Sequence, residues 1–378
     1  MDQKLRLNFI TVVLGAIFGC STSQTSDQNQ NLQPTQTFTS YGFSLDRRVN
    51  DDFARQFQQL YDRYHSVPST GFLGMNATEN QMISPRFQEG AGFLLRFALI
   101  WGDNTLVKNM ILAIKAGLRT IDPVTGEVKS VLPSSAPAGS KLSAGDIADA
   151  ASFYLGDACL GIAALKDHPE VLNANSSTSE INSVVQSLIQ GATWLNSQST
   201  TLAAADANAP NRLLYAARAY LSCGVLMSDP MAKSRAFDLS SQFIDQALDL
   251  QASSGVFREN GGHDTSYQGV SLSIGFDILV AGSLSEADHA RLSAALALGA
   301  RWLSARVRSD GTIDSSGNTR TCSGSETGLN GKPKVLALES IVRGLSGIGK
   351  TSEDSSVVDA AARVFDWWVT HTSANPCF

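Results

Sequence analysis

Five segments of this chain share one design. "SPRFQEGAGFLLRFALIWGD" from Ser84, "AGDIADAASFYLGDACLGIAAL" from Ala144, "APNRLLYAARAYLSCGVLMSD" from Ala209, "DTSYQGVSLSIGFDILVAG" from Asp264 and "NGKPKVLALESIVRGLSGIG" from Asn330 each start polar. Each carries small residues at helical spacing and stops near a Gly or Asp. Their starts fall roughly 55–65 residues apart, the period of a supersecondary repeat. A helix that is apolar nearly all round has no face to offer water, so these five form an inner layer. Between them run "DDFARQFQQLYDRYH", "TLVKNMILAIKAGLRTI", "INSVVQSLIQGATWLN", "AFDLSSQFIDQALDLQ", "ADHARLSAALALGARWLSARV" and "AARVFDWWVTH". Each of those has one apolar stripe and one charged face, which suits an outer layer.

Outer helix, long polar loop, inner helix, short turn is the pattern of an all-α protein, an (α/α) toroid or incomplete barrel of about five to six helical hairpins. Strand-like alternation is rare and short. The long loops "IDPVTGEVKS", "LDLQASSGVFRENGGHD" and "RSDGTIDSSGNTRTCSGSETG" then gather at one end and build a cleft. The alternative is an open α-solenoid used for protein binding. A hydrophobic fraction of 43% and a charged fraction of 17% fit a well-buried body, expected as one domain over 41–378. The net charge of −6 argues against nucleic acid as a partner, although an arginine cluster can invert the field inside a cleft. No cofactor or metal is expected, since no His and Cys cluster has zinc spacing. The protein is expected to be a monomer.

The first residues concern location. Lys4 and Arg6 precede an apolar run from Phe9 to Gly19, too short to span a bilayer and suited to a signal-peptide core. It ends in "IFGC", which resembles the lipobox of bacterial lipoproteins. That resemblance implies a signal peptide over 1–19, lipidation at Cys20 and an anchor in the cell envelope. The alternative is an ordinary secretory signal. Ser21 resembles the outer-membrane-directed pattern, and residues 20–40 read as a lipidated Cys followed by a flexible polar tether. Four further cysteines allow three pairings. A staple between Cys322 and Cys377 is expected, whereas Cys159 and Cys223, inside apolar helices, read as buried free thiols.

"SGVFRENGGHDTSYQG", from Ser254, crowds titratable groups between glycines just before an inner helix. Asp264 reads as an N-cap, which puts Tyr267 on the first helical turn at the cleft. One repeat earlier, Asn211 and Arg212 of "PNR" stand at the same level of the toroid. Together these segments resemble the active-site pattern of (α/α)-toroid polysaccharide lyases, the group of chondroitin, alginate and glucuronan lyases. The resemblance covers residues 205–275 in motif and the body in architecture; the β-sandwich of larger members is missing. It implies cleavage of a uronic-acid polysaccharide by β-elimination. Asn211 and His263 would neutralise the sugar carboxylate while C5 loses its proton, with Asn260 as a substitute for either. Tyr267 would act as base and then as acid, although His263 is an alternative base. Arg212, Arg258 or Arg320 would favour the phenolate.

Arg258, Asn260, Arg212, Glu259 and Arg320 are the expected sugar-binding residues, Arg320 because its fork binds carboxylates in pairs. The loop 308–333 adds Arg308, Asp310, Glu326, Asn330 and Lys332. Asn80, Arg86 and Glu89 read as a distal subsite, and the five tryptophans as packing residues. Two other functions fit the same residues. One is a glycoside hydrolase that uses a carboxylate pair among Glu259, Asp264, Asp206 and Glu326. The other is a non-catalytic surface lipoprotein that holds glycan or protein.

Overall fold

The computed structural model describes residues 67–378 apart from 135, 137–138, 323–324, 328–332, 372–374 and 378. The signal peptide, Cys20, the tether, the outer helix expected over 51–65, Asn330 and Lys332 lie outside the described residues. Ten long helices form five hairpins among the described residues, each with an inner helix followed by an outer one. They are α1 (Ala91–Trp101) and α2 (Asn104–Leu118), α3 (Ala144–Lys166) and α4 (Thr178–Ser197), and α5 (Pro210–Leu226) and α6 (Pro230–Asp249). The last two hairpins pair α7 (Thr265–Val280) with α8 (Glu286–Ser304), and α9 (Leu338–Thr351) with α10 (Ser355–Thr370). The odd-numbered helices pack on one another in sequence as the inner ring, and the even-numbered ones sheathe them. Arg343 of α9 lies 4.2 Å over the ring of Phe93 on α1, so side chains of the first and last inner helices meet. This is the expected (α/α) toroid.

Local chemistry sets the helix starts. Ser143 and Asp146 form a reciprocal capping box on α3, while Asp229 and Ser285 cap α6 and α8. Pro210 and Pro230 occupy first-turn positions where a missing N–H costs nothing. α3 is long and apolar enough to cross a membrane, but 94% of that stretch is buried inside the toroid. Glycine permits the inner ring to pack backbone against backbone. A Cβ on Gly161 would sit 2.5 Å from the Cα of Gly92, and one on Gly92 would sit 1.9 Å from the carbonyl oxygen of Asp157.

The loops repeat as well. Gly71, Gly126, Gly255 and Gly311 all have positive φ (77°, 72°, 97° and 88°). A Cβ on any of them would strike a carbonyl oxygen of the outer helix in the next hairpin: Leu112, Gln190, Leu298 and Arg363 respectively. A glutamine locks two of these turns. Gln88 donates to the carbonyls of Gly71 and Ala113, and Gln268 donates to those of Gly255 and Gly299. Their Oε1 atoms accept from Leu73 and Phe257. Phe87 and Tyr267, each one residue before its glutamine, therefore hold corresponding positions.

The cysteines correct one expectation. Cys322 and Cys377 are joined, as the sequence suggests, with an S–S distance of 2.06 Å. Cys159 and Cys223 are not free thiols: they form a second disulfide between α3 and α5. They lie 64 residues apart, one repeat length, which brings them to one level of adjacent inner helices with 5.0 Å between Cα atoms. The tryptophans do pack against the core, as expected.

Candidate active site

Two neighbouring clusters of functional side chains occupy the ring, one in the loops at its rim and one in its bore. At the rim, Asp264 is the N-cap of α7 and is almost fully buried. Its carboxylate accepts from the N–H groups of Ser266, Tyr267, Arg320 and Thr321 and from the Thr321 hydroxyl. That knot fastens the 306–334 loop to the start of α7 and leaves Asp264 no part in chemistry. The cap also places Tyr267 on the first turn, as expected.

The Tyr267 hydroxyl donates to Glu326 Oε2 at 2.9 Å and accepts from Lys334 Nζ at 3.0 Å. Arg320 reaches both oxygens of Glu326 at 2.7 and 2.8 Å, pairs with Glu259, and lies 4.3 Å over the Tyr267 ring. Burial pushes the phenol well above its ordinary value, and Arg320 offsets this only in part. Contrary to the sequence expectation, the neighbouring arginine does not turn Tyr267 into a phenolate. Glu326, by contrast, is held down at about 2: burial opposes ionisation, but Arg320 and Lys334 outweigh it.

Of the remaining expected residues, Arg212 lies within electrostatic reach of the Arg320–Glu259 pair, and the others have different partners. Glu259 is fully buried beneath Arg320, so it positions that guanidinium and does not touch a sugar; burial pushes its carboxyl up to about 7. His263 faces away from the phenol network: its Nε2 lies 3.1 Å from the Ser316 carbonyl and its ring meets Trp302 edge-on at 5.5 Å. Asn260 is exposed with φ 52°, and its N–H donates to the Asn208 carbonyl. Arg258 is exposed. Asn211 is buried in the first turn of α5, its Oδ1 without a hydrogen-bond partner. Arg212, 28% exposed, donates to Asp149 at 2.9 Å and lies 3.5 Å from Asp206. Both carboxylates are buried, and burial together with Asp149 pushes Asp206 up to about 8.

The bore holds residues that the sequence reading passed over. Every inner helix carries an ionisable side chain at its middle or inward-facing turn: Arg96, Asp157, Arg218, Asp277 and Arg343. Asp277, fully buried, is the hub: Arg96 bonds it at 2.9 Å, Arg218 at 3.1 Å, and Arg343 completes the set. Burial opposes its ionisation, yet the three guanidiniums hold it well below the usual carboxylate range. Asp157 caps α1 from the neighbouring helix, accepting from the N–H groups of Gly90, Gly92 and Phe93 at 2.7–2.9 Å. α1 starts at Gly90 (φ 97°) and has no side-chain cap of its own, so this carboxylate supplies one.

Asp157, Arg218 and Arg343 open onto a cavity of about 280 Å³, lined also by Phe87, Phe93, Glu89 and Tyr215. Glu89 ends the short 3₁₀ turn Pro85–Gln88 just before Gly90, and its side chain is 26% exposed. Its Oε1 lies 3.3 Å from Arg218 Nη2. Burial pushes its carboxyl up, with Arg218 pulling against that and Asp157 adding to it. Tyr215 stacks on Phe153 at 3.9 Å, and Arg86 covers the outer face of Phe153 at 4.6 Å. Glu89, read from sequence as part of a distal subsite, thus belongs to the wall of the central cavity, and Arg86 lies over Phe153 beside Tyr215 of that wall. The site offers a carboxyl raised by burial, cationic groups and an aromatic wall. Among the described residues no group of three or more His, Cys, Asp or Glu is placed to hold a metal.

No family model matches the chain, and no curated protein matches it. Among solved structures it is similar to "Glycosyl hydrolase family 88 from Bacteroides vulgatus", with a TM-score of 0.52 and 10% sequence identity. The likeness covers 87% of this chain and 86% of that one. At that identity what is shared is the fold, the helical toroid described above.

Proposed function

We propose that this protein is a glycan-degrading enzyme that hydrolyses a glycosidic bond in a uronic-acid-containing saccharide bound in the bore. The observation that carries the reading is Glu89, a part-exposed carboxyl raised by burial on the wall of a cavity it shares with Arg218 and Arg343. A carboxyl whose affinity for a proton is raised by burial can serve as the proton donor that a leaving sugar oxygen needs. Glu339 lines the same cavity from the first turn of α9 and is the second carboxylate of the pair. Arg218 and Arg343 on the wall attract the sugar acid. That the fold neighbour is titled a glycosyl hydrolase favours hydrolysis as the chemistry.

The test is Glu89→Gln, which keeps size and loses the proton. Turnover should fall about 10²–10⁴-fold, the usual contribution of a general acid, with binding retained. Turnover within threefold of the parent removes Glu89 from the reaction.

A second reading, β-elimination at the rim, draws on one specific observation: Lys334 and Arg320 flank the Tyr267 phenol. In that case Tyr267→Phe abolishes turnover and the product absorbs in the ultraviolet, whereas hydrolysis in the bore survives that substitution. Export with a lipid anchor at Cys20, as a monomer in the cell envelope, belongs to the same proposal. The two disulfides favour an oxidising compartment. Radiolabelled palmitate should be incorporated into the parent and not into Cys20→Ala.

A further inference from the structure

We propose that an anionic saccharide enters the bore cavity together with a proton, and that Glu89 is the group that takes it up. This rests on the reading of the cavity as the place where an acidic glycan is cleaved. The charged side chains lining the cavity are Arg218, Arg343, Glu89, Asp157 and Glu339, an excess of one negative charge. Behind the wall, Arg96 and Asp277 cancel one another. A second anion in this buried space is costly unless a positive charge arrives with it.

The partners of each group decide where that charge goes. Burial pushes Asp157 up as it does Glu89, but Asp157 accepts from three backbone N–H groups that a proton would disturb, and Asp277 is gripped by three guanidiniums that hold it ionised. Arg343 is tied to Ser273 at 3.1 Å and to Asp277. Arg218 divides its two terminal nitrogens: Nη1 serves Asp277, and Nη2 serves the Phe153 carbonyl and Glu89. The Glu89 contact, at 3.3 Å, is the longest of these and the one that faces the cavity. Arg218 already serves Asp277 and Glu89, so a sugar carboxylate that takes Nη2 brings a third carboxylate to one guanidinium, and the added negative charge favours a proton on the one it displaces.

The charged and titratable groups facing Glu89 are Asp157 from α3, Tyr215 and Arg218 from α5, Glu339 and Arg343 from α9, and Arg86 from its own turn. Glu89 is the cavity carboxylate whose part-exposed side chain pairs with Arg218, the guanidinium the sugar acid would engage, whereas Glu339 is part-exposed on α9. The proton comes from solvent to a Glu89 oxygen, and no other bond forms or breaks. Ligand charge thereby sets the acid form that glycosidic cleavage requires, and a neutral sugar gives no such signal.

Isothermal titration of the full chain with sodium D-glucuronate, in buffers of different ionisation enthalpy from about pH 5 to 9, tests this directly. Uptake should approach one proton per glucuronate, with affinity falling about tenfold per pH unit on the alkaline side. Glu89→Gln should bind glucuronate with no uptake and no pH dependence, and glucose should show neither effect in the parent. Binding with uptake below about 0.2 proton at every pH overturns the inference and leaves the hydrolase reading intact. Uptake that persists in Glu89→Gln overturns the role of Glu89. Absence of any glucuronate binding overturns both this inference and the assignment of acidic sugars to the bore.

Discussion

Asp277→Asn is the most demanding test of how the ring is held together. The substitution keeps shape and removes the one charge that balances Arg96, Arg218 and Arg343. Arg218 retains Glu89 at 3.3 Å, but Arg96 and Arg343 lose the one carboxylate that pairs with them among the described residues, and the Arg96 side chain is just 6% exposed. Removing one partner of a buried pair costs about 3–5 kcal/mol. Here two guanidiniums are orphaned, while the new amide oxygen recovers roughly 1 kcal/mol by accepting from one of them. The expected loss is therefore about 3–5 kcal/mol, two to four orders of magnitude in the folded-to-unfolded ratio. The assay is urea denaturation followed by circular dichroism, with the slope unchanged. Because the carboxyl is depressed, its contribution is present above the unfolded value and is lost only as pH falls through the folded one. The difference between parent and variant should thus stay flat from about pH 5 to 8. Adding Arg343→Met to Asp277→Asn removes one unbalanced charge and should restore about 1–2 kcal/mol. A loss below about 1 kcal/mol, or no recovery in the double variant, would refute the electrostatic account of the bore.

Two more outcomes follow from the packing. Asp206, pushed up to about 8, favours folding below its unfolded value and loses that contribution as pH rises through about 8. Parent stability should therefore decline relative to Asp206→Asn between about pH 4 and 8, and a pH-independent difference sinks this reading of the Asp149–Asp206 pair. Replacing Cys159 and Cys223 together by alanine opens a 64-residue loop and should cost about 2–4 kcal/mol in the same denaturation assay. A variant as stable under oxidising conditions as the parent contradicts the pairing.

Much of the fold is legible because a ring of hairpins repeats its needs. Apolar inner segments return at one period, and polar caps such as Asp264 mark where each begins. The cap at Asp264 by itself sets Tyr267 on the first turn. The same period carried further information: Cys159 and Cys223 are one repeat apart, and "STG", "VTG", "SSG" and "SDG" before Phe72, Glu127, Val256 and Thr312 each end in a glycine with positive φ. The site is less legible. Arg96, Asp157, Arg218, Asp277 and Arg343 are single charges in segments otherwise fit for a core, and an unpaired charge does not survive there. That signal shows that partners must exist. It does not show which, because Arg96 and Asp277 meet only when the ring closes across 181 residues. Arg212 and Arg320 drew attention as sugar ligands, yet both are engaged by carboxylates already inside the protein.

Mass spectrometry of the products from glucuronan, alginate and chondroitin oligosaccharides tests the central claim most directly. Hydrolysis in the bore predicts fragments whose masses sum to the substrate plus one water, with the oxygen of labelled solvent in the new reducing end. Fragments that sum to the substrate with no water added, one bearing an unsaturated uronate, would contradict it and move the chemistry to Tyr267 at the rim.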